Sequence, residues 1–245
     1  SSGSVLVGHE AGAALTSGIG NVAIGYQALD AEDDGDYNTA VGYQALTAQT
    51  GVSGHVANTA IGYQAGVTLL DGSDNTALGM QALKSEDGGN RSTAIGTQAL
   101  YSQTTSAPAH INNVGVGVFA GYRNVTGTNN TYVGTSAGLG TAGGAVSNSN
   151  NTAVGASALL SITDGGENVA IGDATGDALT TGHNNVFVGR AAGSATVEVS
   201  DAVIIGADAA ESNMTTAANG TVAVGKAALA ALTSGAENVA VGHEA

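Results

Sequence analysis

A short motif centred on a glycine recurs fourteen times in this chain, most often 17 residues apart. The glycines are Gly8, Gly25, Gly42, Gly62, Gly79, Gly96, Gly117, Gly134, Gly155, Gly172, Gly189, Gly206, Gly225 and Gly242. A fixed short period is typical of a solenoid, in which each repeat is one turn that contacts only its neighbours. The sequence therefore predicts an all-β fold, a parallel β-roll or β-solenoid of about 14 turns forming one domain over residues 1–245. Neither end reads as a polar capping repeat, so we expect a segment of a longer fibre or array.

The residues before each glycine predict which side chains face the core. With the glycine at position 0, position −1 is always aliphatic and position −3 is always Val or Thr. Alternate residues of a strand point the same way, so −3 and −1 are expected to face inward and the more variable −2 outward. A charge at Ile61, at position −1, would then unfold the array, whereas a substitution of Ser53 in an inserted segment would leave stability unchanged.

Two other positions indicate structural roles. The invariant glycine predicts either a positive φ or a neighbouring backbone too close for a Cβ atom. Position −4 is usually Asn, which tolerates left-handed turns and suits the corner before a strand. Stacked Asn side chains are also expected to form a ladder from turn to turn. The clearest structural residues are Gly25, Gly42, Gly62, Asn21, Asn38 and Asn58.

Composition excludes several classes of partner. The formal net charge of −15 repels nucleic acid and anionic membrane, so we expect neither as a partner. Cysteine is absent, which excludes a disulfide scaffold, and no apolar run is long enough to insert into a membrane. Aromatic residues make up only 4% of the chain, so the core is thin and side-by-side association would bury more surface.

The motif Asn-(Thr/Val)-Ala-(Ile/Val)-Gly-Tyr-Gln-Ala-(Leu/Gly) resembles the repeats of trimeric autotransporter adhesin heads and of phage tail fibres. The copies at Asn21–Leu29, Asn38–Leu46 and Asn58–Gly66 are the most similar, and the resemblance covers almost the whole chain. It implies a left-handed parallel β-roll with three chains packed side by side. The turns here are longer than those of the adhesin heads.

A polar and aromatic strip is the first candidate binding site. Tyr26, Tyr43 and Tyr63 share position +1 in consecutive turns, and Gln27, Gln44 and Gln64 share position +2. Aromatic rings and amides both suit glycans, so the strip could bind a sugar. The alternative, which we favour, is packing at a subunit interface, where Tyr is common.

The acidic segment with Asp33, Asp34 and Asp36 is a candidate metal site, because Ca²⁺ prefers carboxylate and carbonyl oxygens. The segment lacks EF-hand spacing and the nonapeptide of calcium-binding β-helices, so we favour solvated loop charge and expect no cofactor. No catalytic constellation is visible, and we expect no enzyme activity.

These patterns lead to two functional hypotheses. The first is an extracellular adhesive fibre segment, on a cell surface or virion, that binds a host-cell glycan or surface protein by multivalent contacts. The second is a structural spacer or filament subunit that polymerises end to end. In both, the first partner is another copy of the chain, in a homotrimer or a filament.

Overall fold

The computed structural model describes residues 3–50, 53–105, 109–141 and 146–245. The chain divides into two compact units, Ser1–Thr126 (unit 1) and Gly127–Ala245 (unit 2). Both are stacks of parallel turns, which together number about 13, spaced about 17 residues apart and nearly free of helix. The predicted all-β solenoid is therefore confirmed. Its left-handedness and its continuity as one domain stay predictions. Short parts of three inserted segments, at 51–52, 106–108 and 142–145, lie outside the described residues.

Each turn of unit 1 contributes one three-residue strand to a parallel sheet. The strands are Val5–Val7, Val22–Ile24, Thr39–Val41, Thr59–Ile61, Thr76–Leu78, Thr93–Ile95 and Val114–Val116. Neighbouring strands pair without offset, so that Thr59 lies beside Thr76 and Ile61 beside Leu78. Like positions of the motif therefore form continuous files along the sheet. Two further pairs of two-residue strands join Gly35–Asp36 to Gly54–His55 and Gly89–Asn90 to Ala109–His110.

Unit 2 repeats this arrangement. Its strands are Thr131–Val133, Thr152–Val154, Val169–Ile171, Val186–Val188, Val203–Ile205, Val222–Val224 and Val239–Val241, again parallel and in register. Among the described residues the one helix is a 3₁₀ turn, Thr216–Ala218, where the Thr215 side chain accepts a hydrogen bond from the Ala217 N–H. The N-cap hydroxyl satisfies a backbone donor that the helix itself leaves free.

The predicted direction of the strand side chains is wrong. Position −2 faces the core: Ala23, Ala40 and Ala60 are fully or almost fully buried. Positions −3 and −1 face outward, and Ile61 is 37% exposed. A charge at Ile61 therefore enters solvent instead of a core, and it is not expected to unfold the chain. In the inner strands, as in Val22–Ile24 and Thr59–Ile61, the middle residue alone is buried.

The core is built from alanine at −2 and +3 and, in many turns, leucine at +4. Where the residue at −2 is large, the residue at +4 is small. The bulky side chain at −2 then occupies the volume that a Leu at +4 fills in other turns. A Cβ added at Gly138 would lie 2.3 Å from the ring of Tyr132, and one at Gly12 would lie 2.7 Å from Leu6. Phe187 fills the same space beside Gly176 and Gly193. Because a large residue at one of these two positions is matched by a small residue at the other, the interior stays close-packed in turns of either kind.

The repeat glycine satisfies both predicted reasons at once. Gly25, Gly42 and Gly62 have φ of +134°, +137° and +136°. A Cβ on each would lie 2.4–2.6 Å from the carbonyl oxygen of the glycine in the next turn. The glycine N–H meanwhile donates to the preceding turn, as from Gly62 to the Val41 carbonyl at 2.8 Å. Adjacent turns are therefore in direct backbone contact at this corner.

The Asn file forms the expected ladder, and its amides also bond the backbone of the next turn. In unit 2 the amides bond one another directly, as from Asn168 Nδ2 to Asn151 Oδ1 at 3.1 Å and from Asn185 Nδ2 to Asn168 Oδ1 at 2.9 Å.

In unit 1 the Oδ1 atoms of Asn21 and Asn38 accept from the backbone N–H of the next Asn in the file, at 2.7 and 3.0 Å. The Nδ2 atoms of Asn21 and Asn58 donate to loop carbonyls of the following turn, those of Gly35 and Gly72. The Asn21 and Asn58 amides therefore each tie a strand corner to two segments of the next turn, whereas Asn38 Nδ2 is buried without a hydrogen-bond partner.

The left-handed residue of this corner lies one position earlier than predicted. Tyr37, Ala57 and Asp74, at position −5, have φ of 64°, 54° and 59°. The Asn that follows each of them does not have a positive φ, and its buried side chain takes part in the ladder. Asn is therefore selected for its hydrogen bonds and not for its tolerance of the left-handed region.

Exchanging sizes between −2 and +4 tests the core assignment. Gly138→Leu alone collides with Tyr132, and Tyr132→Ala alone leaves a cavity, so each should lower the free energy of unfolding by about 3 kcal/mol. The double variant recreates the Ala153 and Leu159 pair of the next turn, in which Leu already adopts φ 50°.

We expect denaturant titration to give a favourable coupling of about 1–3 kcal/mol in the double variant. Additive losses would contradict the assignment. Part of the loss should persist, since the buried Tyr132 hydroxyl donates to Asn148.

Candidate functional site

The predicted aromatic strip exists and is a stack. Tyr26 and Tyr43 have ring centroids 5.1 Å apart, and Tyr43 and Tyr63 are 5.5 Å apart, with planes within 18° of parallel. His9 extends the stack on the Tyr26 side at 5.4 Å. The three tyrosines are 41–47% exposed. Parallel strand pairing produces this geometry, because it repeats position +1 at the strand spacing.

The stack limits what the strip can bind. Each inner ring is covered on both faces by its neighbours, so the edges and hydroxyl groups face the solvent. A sugar that packs flat on an aromatic face finds no such face between Tyr26 and Tyr63. The stacked rings instead offer a continuous apolar edge, of the kind that packs against another protein surface.

The predicted glutamine file is a one-directional amide ladder. Gln44 Nε2 donates to Gln27 Oε1 and Gln64 Nε2 donates to Gln44 Oε1, each at 3.0 Å. The same pattern continues through Gln81 and Gln98, and at the other end Gln27 Nε2 donates to Glu10. These residues hold left-handed backbone, with φ of 52–57°. The ladder offsets part of that strain and holds the Tyr file in place.

The strand residues and the Tyr file together form one apolar surface, which we call the outer face. In unit 1 it consists of Val or Thr at −3, aliphatic residues at −1, and Tyr26, Tyr43, Tyr63, Met80 and Val118 at +1. The threonines at −3, such as Thr59 and Thr76, are half-buried on this face and do not point inward. None of these positions in unit 1 carries Asp, Glu, Lys or Arg. The outer face is therefore neutral in a chain of net charge −15.

The acidic segment is organised by a residue that the sequence analysis did not select. Glu32 is fully buried, and its Oε1 accepts from the backbone N–H groups of Asp33, Asp34 and Gly35 at 2.7–3.2 Å. Carboxylate oxygens of Glu32, Asp33 and Asp34 lie within 4.8 Å of one another. Asp36 is engaged elsewhere, since its Oδ1 accepts from the Ile19 N–H at 2.8 Å. The buried carboxylate thus closes the loop on itself.

Glu86 holds a second loop in the same way, and the comparison is informative. Its Oε1 accepts from three consecutive backbone N–H groups, and its Oε2 accepts from Gln103 Nε2 at 2.7 Å. Around Glu32 the equivalent Gln49 donates instead to the Leu70 carbonyl. Glu32 Oε2 is left buried without a hydrogen-bond partner. The shared signal is a Glu seven residues after the repeat glycine and a Gln 17 residues later.

Burial raises the pKa of Glu32, and its three backbone hydrogen bonds only partly oppose this. Partial burial and the neighbouring Asp33 carboxylate raise the pKa of Asp34. A raised pKa means that the protonated form of Glu32 is favoured in the folded chain. The arrangement is that of a loop staple, in which Asp33 and Asp34 lie near Glu32 and Asp36 is bonded elsewhere, and a metal site here stays a prediction.

No protein-family model, curated protein or solved structure matches this chain. In the part of the chain that the structure describes, no helix has the length and apolar character needed to cross a membrane. The resemblance to adhesin heads and tail fibres therefore stays a prediction, and the geometry above supplies the grounds for a function.

Glu32→Gln tests the staple. The wild-type pKa is raised above 4.5, so stability from this group is complete below pH 4.5 and is lost as pH rises through the folded pKa. Gln mimics the protonated form, so the variant should be at least as stable as wild type at pH 7 and should lose less stability between pH 4.5 and 7.

Glu86→Gln is the matched control. It replaces the oxygen that accepts from Gln103, so it should cost about 1–2 kcal/mol at pH 7. Thermal unfolding across this pH range measures both variants. A larger loss at pH 7 for Glu32→Gln than for Glu86→Gln would contradict the assignment.

Proposed function

We propose that this chain is a segment of an extracellular adhesive fibre, in which three copies pack side by side through their outer faces. The assembly presents its variable turns to a cell-surface glycan or protein. The observation that carries the proposal is the neutral, apolar outer face of unit 1, with Ile24, Ile61 and Leu78 exposed by 37–42%. A contiguous apolar surface on a soluble chain usually marks an interface.

The size of the outer face supports association between copies. At about 4.8 Å between strands and five residues from −3 to +1, the face in unit 1 covers roughly 400 Å². Stable interfaces bury about 800 Å² per partner, so the outer face of unit 1 alone supplies about half of that area.

Charge determines which faces can meet. The chain carries 20 acidic and 5 basic residues, and most acidic residues lie in the segments outside the motif. Two copies that approach through those segments repel each other, whereas the outer faces of unit 1 meet without like charges. The covered ring faces of the Tyr stack agree with this role, since the strip offers edges for packing and no open faces for sugars.

Adhesion would then come from repetition. A rigid stack of turns in three copies presents many equivalent loops, and linked weak contacts give high overall avidity. The alternative function is a structural spacer or a filament subunit that polymerises end to end. This alternative differs from the adhesive fibre in two ways. The chain would bind no ligand, and the mass of its assembly would grow with protein concentration.

Ile61→Glu tests the interface. Ile61 is 37% exposed on the outer face, so the variant should stay folded while a buried charge disfavours association. Light scattering on a size-exclusion column should give a mass near three chains for the wild type and near one chain for the variant.

Ser53→Glu is the control, because it adds the same charge at an exposed position away from the outer face. It should keep the wild-type mass. A wild-type monomer at every concentration would refute the trimer, and a mass that grows without limit would favour the filament.

A further inference from the structure

A basic and aromatic cluster lies in the last turns of unit 1. Lys84, Tyr101 and Tyr122 share position +5 in consecutive turns. The rings of Tyr101 and Tyr122 stack at 4.9 Å, and Lys84 Nζ lies 5.2 Å from the Tyr101 ring centre. The Arg123 guanidinium lies 5.4 Å from the Tyr122 ring, and Phe119 meets that ring edge-on. We call these five residues the basic corner.

The charge of the basic corner is unusual for this chain. It holds two of only 5 basic residues, against 20 acidic ones. Within the described ranges no carboxylate forms an ion pair with Lys84, whose ammonium donates instead to the Tyr101 hydroxyl at 3.2 Å. An ammonium beside a phenol keeps donors available for an anion, since each Lys carries three.

We propose that the basic corner binds an acidic saccharide through a sugar carboxylate. The corner presents hydrogen-bond donors in the Lys84 ammonium and two tyrosine hydroxyls. A carboxylate fits the Lys84 ammonium, with charge-assisted bonds about twice as strong as neutral ones. The sugar hydroxyls fit the phenols, which can both donate and accept. The proposal rests on the proposed function in one respect, since it names the ligand that the adhesive fibre would bind.

The geometry favours a saccharide over other anions. Tyr122 covers one face of Tyr101, and the Lys84 ammonium lies beside the Tyr101 hydroxyl, at 3.2 Å from it. Nucleic acid and anionic membranes need many cations, which a chain of net charge −15 does not supply. A single carboxylate among hydroxyls requires only one or two cations and several neutral donors.

Calorimetric titration of the whole chain with α2,8-linked trisialic acid, with maltotriose as the neutral trisaccharide, tests the proposal. We expect heat of binding with the acidic trisaccharide alone, weakened by salt. Lys84→Glu and Tyr101→Phe should each weaken binding, by about a hundredfold and about tenfold, because they remove a charged and a neutral hydrogen bond.

Lys226→Glu is the matched control, since it makes the same charge change at an exposed lysine of unit 2. It should bind as the wild type does. No binding of trisialic acid, or equal losses in Lys84→Glu and Lys226→Glu, would overturn the basic corner as a site.

The proposed function is tested separately by the mass of the assembly and by binding to an array of neutral and acidic glycans. If Lys84→Glu keeps the trimer and the array signals, the adhesive fibre stands and the basic corner does not. If the wild type is monomeric but binds trisialic acid, the basic corner stands without the fibre.

Discussion

A close backbone contact between turns, at the repeat glycine, constrains the other regular features of this chain. A Cβ at Gly62 would lie 2.6 Å from the carbonyl oxygen of Gly79, and Gly62 itself holds φ +136°. Since the backbones touch there, consecutive turns stack with no offset, and every position of the motif repeats at the strand spacing. The Asn ladder, the Gln ladder and the Tyr stack all follow from that register, because each needs like side chains directly above one another.

The motif contributes alanine at −2 and +3 and one larger side chain per corner to the core, usually Leu at +4 or a bulky residue at −2. The Val, Thr and Ile side chains at −3 and −1 form the outer face. The exposed outer face therefore resembles a core in composition, and the acidic loops lie outside the motif positions that form it.

The sequence was sufficient for the period, the parallel stacking and the role of the glycine, because these depend on invariant spacing. The sequence analysis was wrong about the direction of the strand side chains, because β-branched and aliphatic residues at −3 and −1 suit a buried core as well as an exposed apolar surface. The usable signal was that Leu6, Tyr132, Phe187 and Ile204 at −2 each accompany Gly or Ala at +4. Glu32 was not selected because nothing local marks a buried carboxylate, and the basic corner depends on residues from three turns.

The most direct test of this account is the stability of Gly62→Ala. The account predicts that one methyl group at this corner lowers the free energy of unfolding by about 3 kcal/mol or more, through positive φ and collision with the Gly79 carbonyl. Ser53→Ala, at an exposed loop position, should change it by less than about 0.5 kcal/mol. Denaturant titration of both variants decides the matter, and a Gly62→Ala chain as stable as the wild type would contradict the close-stacked turns.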